Sequence, residues 1–400
     1  MTRSLGAFAA TLLAGSLSLH AQTARPLTIY SIDVEGGLSS LYIAPSGETM
    51  LIDTGSAGGR DTTRILEVMK AAGISNLDYL LTTHYDPDHV GGMKELTEKV
   101  KVGTFIDHGP RSGAGTFNDD YAAIIGTSKH LVPKPGDKLP IKGMDAIIVS
   151  SANQVIGKPL PGAPGAGKPV PECADFWHRE EADDDNANSV GTLFVLGKFR
   201  AINLGDLTWN TEVKLVCPVN LLGHVDLYQT SHHGLTRSGS PAFVHGLNPI
   251  VALMDNAATK GGNPSTYETL YSSPGLQDIW QLHWANGGGV EYNPPGQMIA
   301  NMATPAEINE ALVNPPDPNA GSRVTAGNRG ATLTPFGGGG RGASGGGRGG
   351  SGGAGRGGGR GGPPPHTPAY WLKVTAQANG SFTVCNSRNN YCRTYQGGNH

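Results

Sequence analysis

Thr82-Thr83-His84-Tyr85-Asp86-Pro87-Asp88-His89-Val90-Gly91-Gly92 places two imidazoles and two carboxylates, His84, Asp86, Asp88 and His89, within six positions. An ordinary surface loop has no reason to concentrate such groups, so the stretch reads as a metal-holding turn. The run before it, Leu77 to Leu81, is short, apolar and bounded by polar residues, which predicts a buried strand. Pro87 cannot continue a ladder, and Gly91 and Gly92 permit tight backbone geometry. Met93, Leu96 and Val100 then follow at helical spacing. The predicted unit is strand, loaded loop, helix, with the polar groups at the strand's end.

Upstream, strands are expected over 28–34, 39–44 and 49–52, separated by turns at Gly36-Gly37 and Pro45-Ser46-Gly47, forming a β-meander. Asp61 suits a helix cap, and Ile65, Val68 and Met69 supply its apolar face. Downstream strands are expected over 104–106, 145–150, 191–196, 199–204, 225–230 and 249–254. The alternation predicts sheets covered by helices in one α/β domain. Residues 157–172 are rich in Pro and Gly and lead into an acidic stretch, the pattern of a long loop near the site, a lid or a disordered insert.

The chain has 400 residues and 38% hydrophobic content, but many of its 60 glycines crowd into 337–366, so a core of roughly 250–300 residues is expected. That tract, Gly with interspersed Arg, cannot bury apolar surface and predicts disorder. The formal net charge of -3 gives no global case for nucleic acid or anionic membrane as partner. Residues 1–21 carry Arg3, an apolar stretch and small residues ending at Ala21, which resembles a signal peptide cleaved there. Nothing else approaches the ~18 apolar residues of a span, so the expectation is an exported protein, periplasmic or secreted, with no membrane span after cleavage. Four cysteines suit an oxidising compartment without forming a disulfide framework. Cys385 and Cys392 flank a turn-like stretch and suit a bridged hairpin; Cys173 and Cys217 are a second pairing. Strands over 370–376 and 381–384, joined by Asn379-Gly380, predict a hairpin that returns to the main fold.

Three further strand ends carry metal-type side chains: Asp53 after Met50-Leu51-Ile52, Asp206 after Ile202-Asn203-Leu204-Gly205, and His232-His233 after a run ending at Ser231. A lone Asp or His in such a place is usually structural. Their recurrence beside a loaded loop favours one joint site.

These motifs, Leu-Ile-Asp53-Thr-Gly, His84-x-Asp86-x-Asp88-His89, Leu-Gly-Asp206 and Ser-His232-His233-Gly, resemble the metallo-β-lactamase fold superfamily. Asp33-Val34-Glu35-Gly36-Gly37, Asn188-Ser189 and the two-histidine glycine turn look most like the soluble hydrolase domain of ComEC-type competence proteins. The resemblance implies a four-layer αββα sandwich over 27–300 and a C-terminal hairpin over 367–397 that returns to it; it does not cover the Gly/Arg/Pro-rich stretch over 320–366, which its composition marks as a disordered insertion. It implies that His84 and Asp86 hold one divalent ion and Asp88 and His89 a second, with Asp206 bridging and His233 completing the second site. His232 then faces substrate, in either order with His233, Asp88 and His232 are the catalytic pair, and Asp53 supports the ligand loop by hydrogen bonds. No third-motif histidine is evident. His108 is the best candidate for the rim, with His178 or one of residues 183–185 weaker, and Lys260 and His283 are further candidate substrate contacts.

The superfamily usually has His-x-His-x-Asp-His, and Asp86 replaces the second histidine. A harder, more anionic site favours Mn²⁺, Mg²⁺ or iron relative to an all-imidazole zinc site, with Zn²⁺ still compatible. The resemblance to the competence-type branch, which is associated with DNA-strand degradation, implies an exported metal-dependent phosphodiesterase or nuclease acting on a small-molecule or nucleic-acid phosphodiester. The alternatives are a lactone, ester or β-lactam hydrolase, whose members usually keep the second histidine, and a non-catalytic binding protein, which would be expected to have lost ligands. The Arg residues between 341 and 360 suit either phosphate attraction or a solvated spacer.

Overall fold

A computed structural model describes residues 25–110, 117–182, 184–313 and 368–398. Residues 1–21, expected as a leader, Asp183 and the Gly/Arg tract lie outside the described residues. Strands β1 (Leu27–Ser31), β2 (Ser40–Ile43) and β3 (Thr49–Ile52) form the expected meander. After helix α1 (Arg60–Ala72), strand β4 (Leu77–Leu81) pairs parallel with β3. The loaded loop leads into two short helices, α2 (Pro87–Val90) and α3 (Met93–Thr97). Strand β5 (Val102–Ile106), helix α4 (Phe117–Ile125) and strand β6 (Lys129–Leu131) complete this half of the molecule.

The second sheet takes β7 (Asp145–Ser151), β8 (Gln154–Val155), β9 (Gly191–Leu196) and β10 (Phe199–Asn203). Helix α5 (Trp209–Val213), strand β11 (Leu227–Gln229), helix α6 (Pro241–Leu247) and strand β12 (Val251–Met254) follow. Helix α7 (Pro264–Tyr271) and strands β13 (Asp278–His283) and β14 (Ile299–Asn301) close it. Three late strands, β15 (Leu372–Ala376), β16 (Ser381–Asn386) and β17 (Cys392–Gln396), return to the first sheet, where β15 pairs with β1 in antiparallel register.

The first sheet runs β17-β16-β15-β1-β2-β3-β4-β5-β6 and the second β14-β13-β12-β11-β10-β9-β7-β8. Tyr42, Phe194, Phe199, Trp280 and Phe382 fill the space between them. One outer face packs under Ile65, Val68 and Met69 of α1, the other under Phe243 of α6 and Tyr267 of α7. Helix, sheet, sheet, helix is the four-layer order expected for two sheets that each bury both faces. The strands leading to Asp53, His84, Asp206 and His232 all end on one edge of this sandwich, and that shared edge is what converts separate motifs into a site.

Two expectations change here. The C-terminal hairpin is a three-stranded meander, because β17 is largely exposed and polar and so carries no hydrophobic signal. Residues 157–175 are pinned as well, and do not form a loose lid: Gly167 N donates to Asn220 O at 2.7 Å, Pro169 bridges Val219, and Cys173 is disulfide-bonded to Cys217. Cys385 and Cys392 form the second disulfide. No helix among the described residues is long and apolar enough to cross a membrane.

Candidate metal centre

Asp88, His89, Asp206 and His233 each offer a ligand atom, and these atoms lie within 4.8 Å of one another. His89 Nε2 is 3.3 Å from Asp206 Oδ2 and 3.5 Å from Asp88 Oδ2, and His233 Nε2 is 3.2 and 3.5 Å from the same two oxygens. His232 Nε2 also reaches Asp206 Oδ2, at 3.4 Å. On the far side of His89 the His84 ring lies 4.1 Å away, centroid to centroid, and its Nε2 is 3.7 Å from Asp86 Oδ2. One carboxylate, Asp206, thus stands at the meeting point of both histidines of the 232–233 turn and of the 84–89 loop.

The backbone is bent to achieve this. His232 and His233 have φ of 55° and 57°, the left-handed region, and Asp53 lies there too at 57°. Such residues cost of order 1–3 kcal/mol each and persist where the surroundings over-determine them. Gly261 is required beside this turn, since a Cβ there would fall 1.9 Å from His233 O. Gly37 is required on the other flank, where a Cβ would fall 2.2 Å from Asp88 O. Side chains would push both loops off the site.

Asp53 is buried beneath the loop. It accepts from Thr83 N at 2.7 Å and Thr83 Oγ1 at 2.6 Å, and its Oδ2 lies 2.7 Å from His89 Nδ1. This contact turns His89 Nε2 toward the cluster. Thr83 Oγ1 also lies 3.1 Å from His84 Nδ1, so one carboxylate and one hydroxyl orient both imidazoles. Thr83 was not among the residues singled out from sequence, although its place immediately before His84 was a usable signal.

Electrostatics couple the cluster. Burial opposes a charged His89, but Asp206, Asp88 and Asp53 outweigh it and raise its pKa well above the ordinary value. Burial likewise opposes charge on Asp206 and Asp88, yet the surrounding imidazoles, with Lys260 at Asp88, hold both carboxyls well below the usual range. Burial pushes His232 down to about 3, against Asp206, with His233, Arg237 and Lys260 adding to the fall.

The donor set fits divalent ions. His84 Nε2, His89 Nε2, His233 Nε2 and Asp206 Oδ1 are all buried without a hydrogen-bond partner. Buried polar atoms are rarely left so, and those of His89, His233 and Asp206 belong to one cluster, with His84 beside it; imidazole and carboxylate together are the donors a borderline-hard cation takes.

The rim differs from the sequence expectation. Lys260 does border the site, its ammonium donating to Asp88 Oδ2. His283 does not face the opening: it is buried, its Nε2 2.6 Å from Asp33 Oδ1 in a cluster with Glu35 and Arg64, because these carboxylates hold it more strongly than solvent would. His108 packs on Tyr85 and pairs with Asp185 at 3.0 Å, outside the four-residue group. Asp185 Oδ2 also accepts from Tyr85 N at 2.8 Å, so this pair grips the loop between His84 and Asp86. His178 is exposed, edge-on to Phe176. Arg237, which the sequence did not flag, stands beside the opening in an ion pair with Asp184.

Two stacked sheets with helices outside, and His and Asp side chains converging at their strand ends, define a metallo-β-lactamase-type fold. The family model described as the metallo-beta-lactamase superfamily matches residues 33–156, a span that holds Asp53 and the 84–89 loop. Asp206, His232 and His233 lie beyond the matched span and join the site through the geometry above. No curated protein matches the chain. Among solved structures, the metallo-beta-lactamase fold protein YhfI from Bacillus subtilis is similar at 12% identity, covering 64% of this chain and 96% of that one, with a TM-score of 0.41. Tm1679, described as a metal-dependent hydrolase of the beta-lactamase superfamily, is similar at 13% identity, covering 65% and 97%, with a TM-score of 0.39. A diphosphatase from the PhnP family is similar at 14% identity, covering 63% and 94%, with a TM-score of 0.35.

Proposed function

We propose that this protein is an exported metal-dependent hydrolase that cleaves phosphodiester bonds. The observation that carries the reading is the composition of the site: a carboxylate at position 86 where the superfamily usually has histidine, together with two cations, Lys260 paired with Asp88 and Arg237 paired with Asp184, whose charge is felt at His232. A carboxylate-rich donor set suits hard ions, and flanking cations suit an anionic substrate. The two disulfides agree with an oxidising compartment, as export through the 1–21 leader requires.

In this reading His84 and Asp86 would hold one ion and Asp88, His89 and His233 the other, with Asp206 as a further carboxylate ligand. When bound, two such ions polarise a phosphoryl oxygen and lower the pKa of water to about 7. The chain's own residues do the rest. Asp53 and Thr83 fix the two imidazole rings of the loop. Asp88, at the opening, orients the attacking water and is itself held by Lys260. His232 presents a neutral imidazole toward substrate, its Nδ1 3.4 Å from Ser238 Oγ, and serves as the proton-exchanging group beside the scissile bond. Lys260 and Arg237 neutralise the non-reacting phosphate oxygens. The matching motifs of ComEC-type domains point the same way, toward DNA strands or smaller phosphodiesters.

Elemental analysis of tag-free protein followed by a substrate panel tests the proposal. The panel holds single- and double-stranded DNA, RNA, bis-p-nitrophenyl phosphate, a lactone and nitrocefin. Metal-dependent turnover of a phosphodiester is expected. Turnover of the lactone or nitrocefin alone would overturn the assignment.

A further inference from the structure

Both segments that follow the metal-type residues lead to the same place. Trp209 comes three residues after Asp206 and donates its backbone N–H to Arg237 O at 2.9 Å, while Thr236, three residues after His233, accepts from the Arg179 guanidinium. Arg179 belongs to a third segment, the stretch just beyond the Cys173–Cys217 disulfide. That stretch is fastened to the start of α5. Trp209 Nε1 donates to Trp177 O at 3.0 Å, Arg179 N to Asn210 Oδ1 at 2.9 Å, and Asn210 Nδ2 to Arg179 O at 2.7 Å.

What this fastening displays is unusual for a structural element. The Arg179 guanidinium lies 3.5 Å from the Trp209 ring centroid and 5.8 Å from that of Trp177. It has no carboxylate partner among the described residues, its Nε is buried without an acceptor, and burial pushes its pKa down to about 10. A desolvated cation lacking a counter-ion is costly unless a ligand supplies one. Trp177 is 41% exposed although its main chain is held, so a large apolar ring is fixed in solvent beside that cation. Aromatic rings next to an arginine are the means by which proteins hold a planar base and its phosphate together.

We infer that Trp177 and Arg179, backed by Trp209, form a second binding subsite for a nucleotide-like group, Trp177 stacking on the base and Arg179 pairing with a phosphate next to the scissile one. This rests on the phosphodiester reading for its substrate, and it makes the subsite the determinant that separates nucleotidyl substrates from simple phosphodiesters.

The test is calorimetric titration of the full-length, metal-loaded protein with 5′-AMP and with adenosine. Trp177→Ala spares the main-chain carbonyl that Trp209 uses, so the segment keeps its anchor. It is expected to weaken both probes about tenfold, the scale of one lost stacking contact. Arg179→Gln is expected to weaken AMP by a similar factor and adenosine little. AMP affinity unchanged in Trp177→Ala, or no saturable AMP binding by the wild type, overturns the subsite. The two readings fail separately. Variant-sensitive AMP binding in an enzyme that turns over only lactone or nitrocefin keeps the subsite and removes the phosphodiester function. Phosphodiester turnover with AMP bound equally by wild type and Trp177→Ala removes the subsite alone.

Discussion

Two acid–histidine clusters of three or more residues stand among the described residues, and they differ in what balances their charge. Asp33, Glu35 and His283 share their cluster with Arg64, whose guanidinium lies 2.8 Å from Asp33 and 3.1 Å from Glu35. Asp88, His89, Asp206 and His233 hold no arginine, and leave His89 Nε2, His233 Nε2 and Asp206 Oδ1 buried without partners. Residue type alone would rank both groups as metal sites. Arg64, set among its carboxylates, makes the first a structural clasp between β1's exit and β13; in the second, Lys260 reaches only Asp88 and leaves the buried atoms of His89, His233 and Asp206 unsatisfied, a place for an ion from outside.

The sharpest way to break this contrast is to remove Asp206, the carboxylate that meets His89, His232 and His233. Asp206→Ala is expected to abolish stoichiometric metal and to lower turnover by well over the ~10–100-fold typical of losing an outer partner. Elemental analysis beside kinetics checks it; full metal content in the variant would refute the centre. At the other cluster, Arg64→Met leaves Asp33 buried and Glu35 half-buried without their cation, and a loss of about 3–5 kcal/mol in unfolding free energy is expected, with bound metal per folded molecule unchanged. Denaturant unfolding measures it. If Arg64→Met instead gained a metal ion with no loss of stability, the two clusters would be equivalent.

The support beneath the metal centre gives a smaller effect. Asp53→Asn keeps the shape but weakens the hold on His89 Nδ1 at 2.7 Å. Metal affinity is expected to fall about 10–100-fold while the fold is retained. Competition with a chelator reads it directly, and unchanged affinity would show that the loop is positioned by other means.

Much of this contrast was legible in the chain before any coordinates. Asp53, the 84–89 loop, Asp206 and His232-His233 each follow an apolar strand run, so strand-end placement and residue type were both local signals. The clasp was not, because His283 sits at a strand end too, and only the partner across the fold decides its fate. Asp33 and His283 are 250 positions apart. Arg64 did carry a trace, lying four residues before Val68 on the apolar face of α1, where an arginine needs a buried acid. Strands β14 and β17 escaped for the opposite reason: one is three residues long, the other largely exposed, so neither imposes hydrophobic alternation.

A third buried acid completes the series, since Glu212 on α5 has neither arginine nor imidazole. Gly239 N donates to its Oε2 at 2.6 Å, and its Oε1 is buried without a partner. Burial, opposed by the Ser231 and Gly239 hydrogen bonds, pushes its pKa up to about 8, so the folded protein keeps it protonated at neutral pH. The folded state therefore holds a proton that the unfolded chain releases near the ordinary glutamate value of 4.5. Stability from this group is full below that value and is lost as pH rises toward about 8, with a slope of about 1.4 kcal/mol per pH unit. Glu212→Gln, which cannot ionise, is expected to flatten that part of the stability profile between pH 5 and 8, measured by denaturant unfolding at fixed metal. A profile of unchanged slope would mean that Glu212 is ionised in the fold and that some cation reaches it. It would then join Asp33 or Asp206, and would no longer stand as the case in which a proton alone does the balancing.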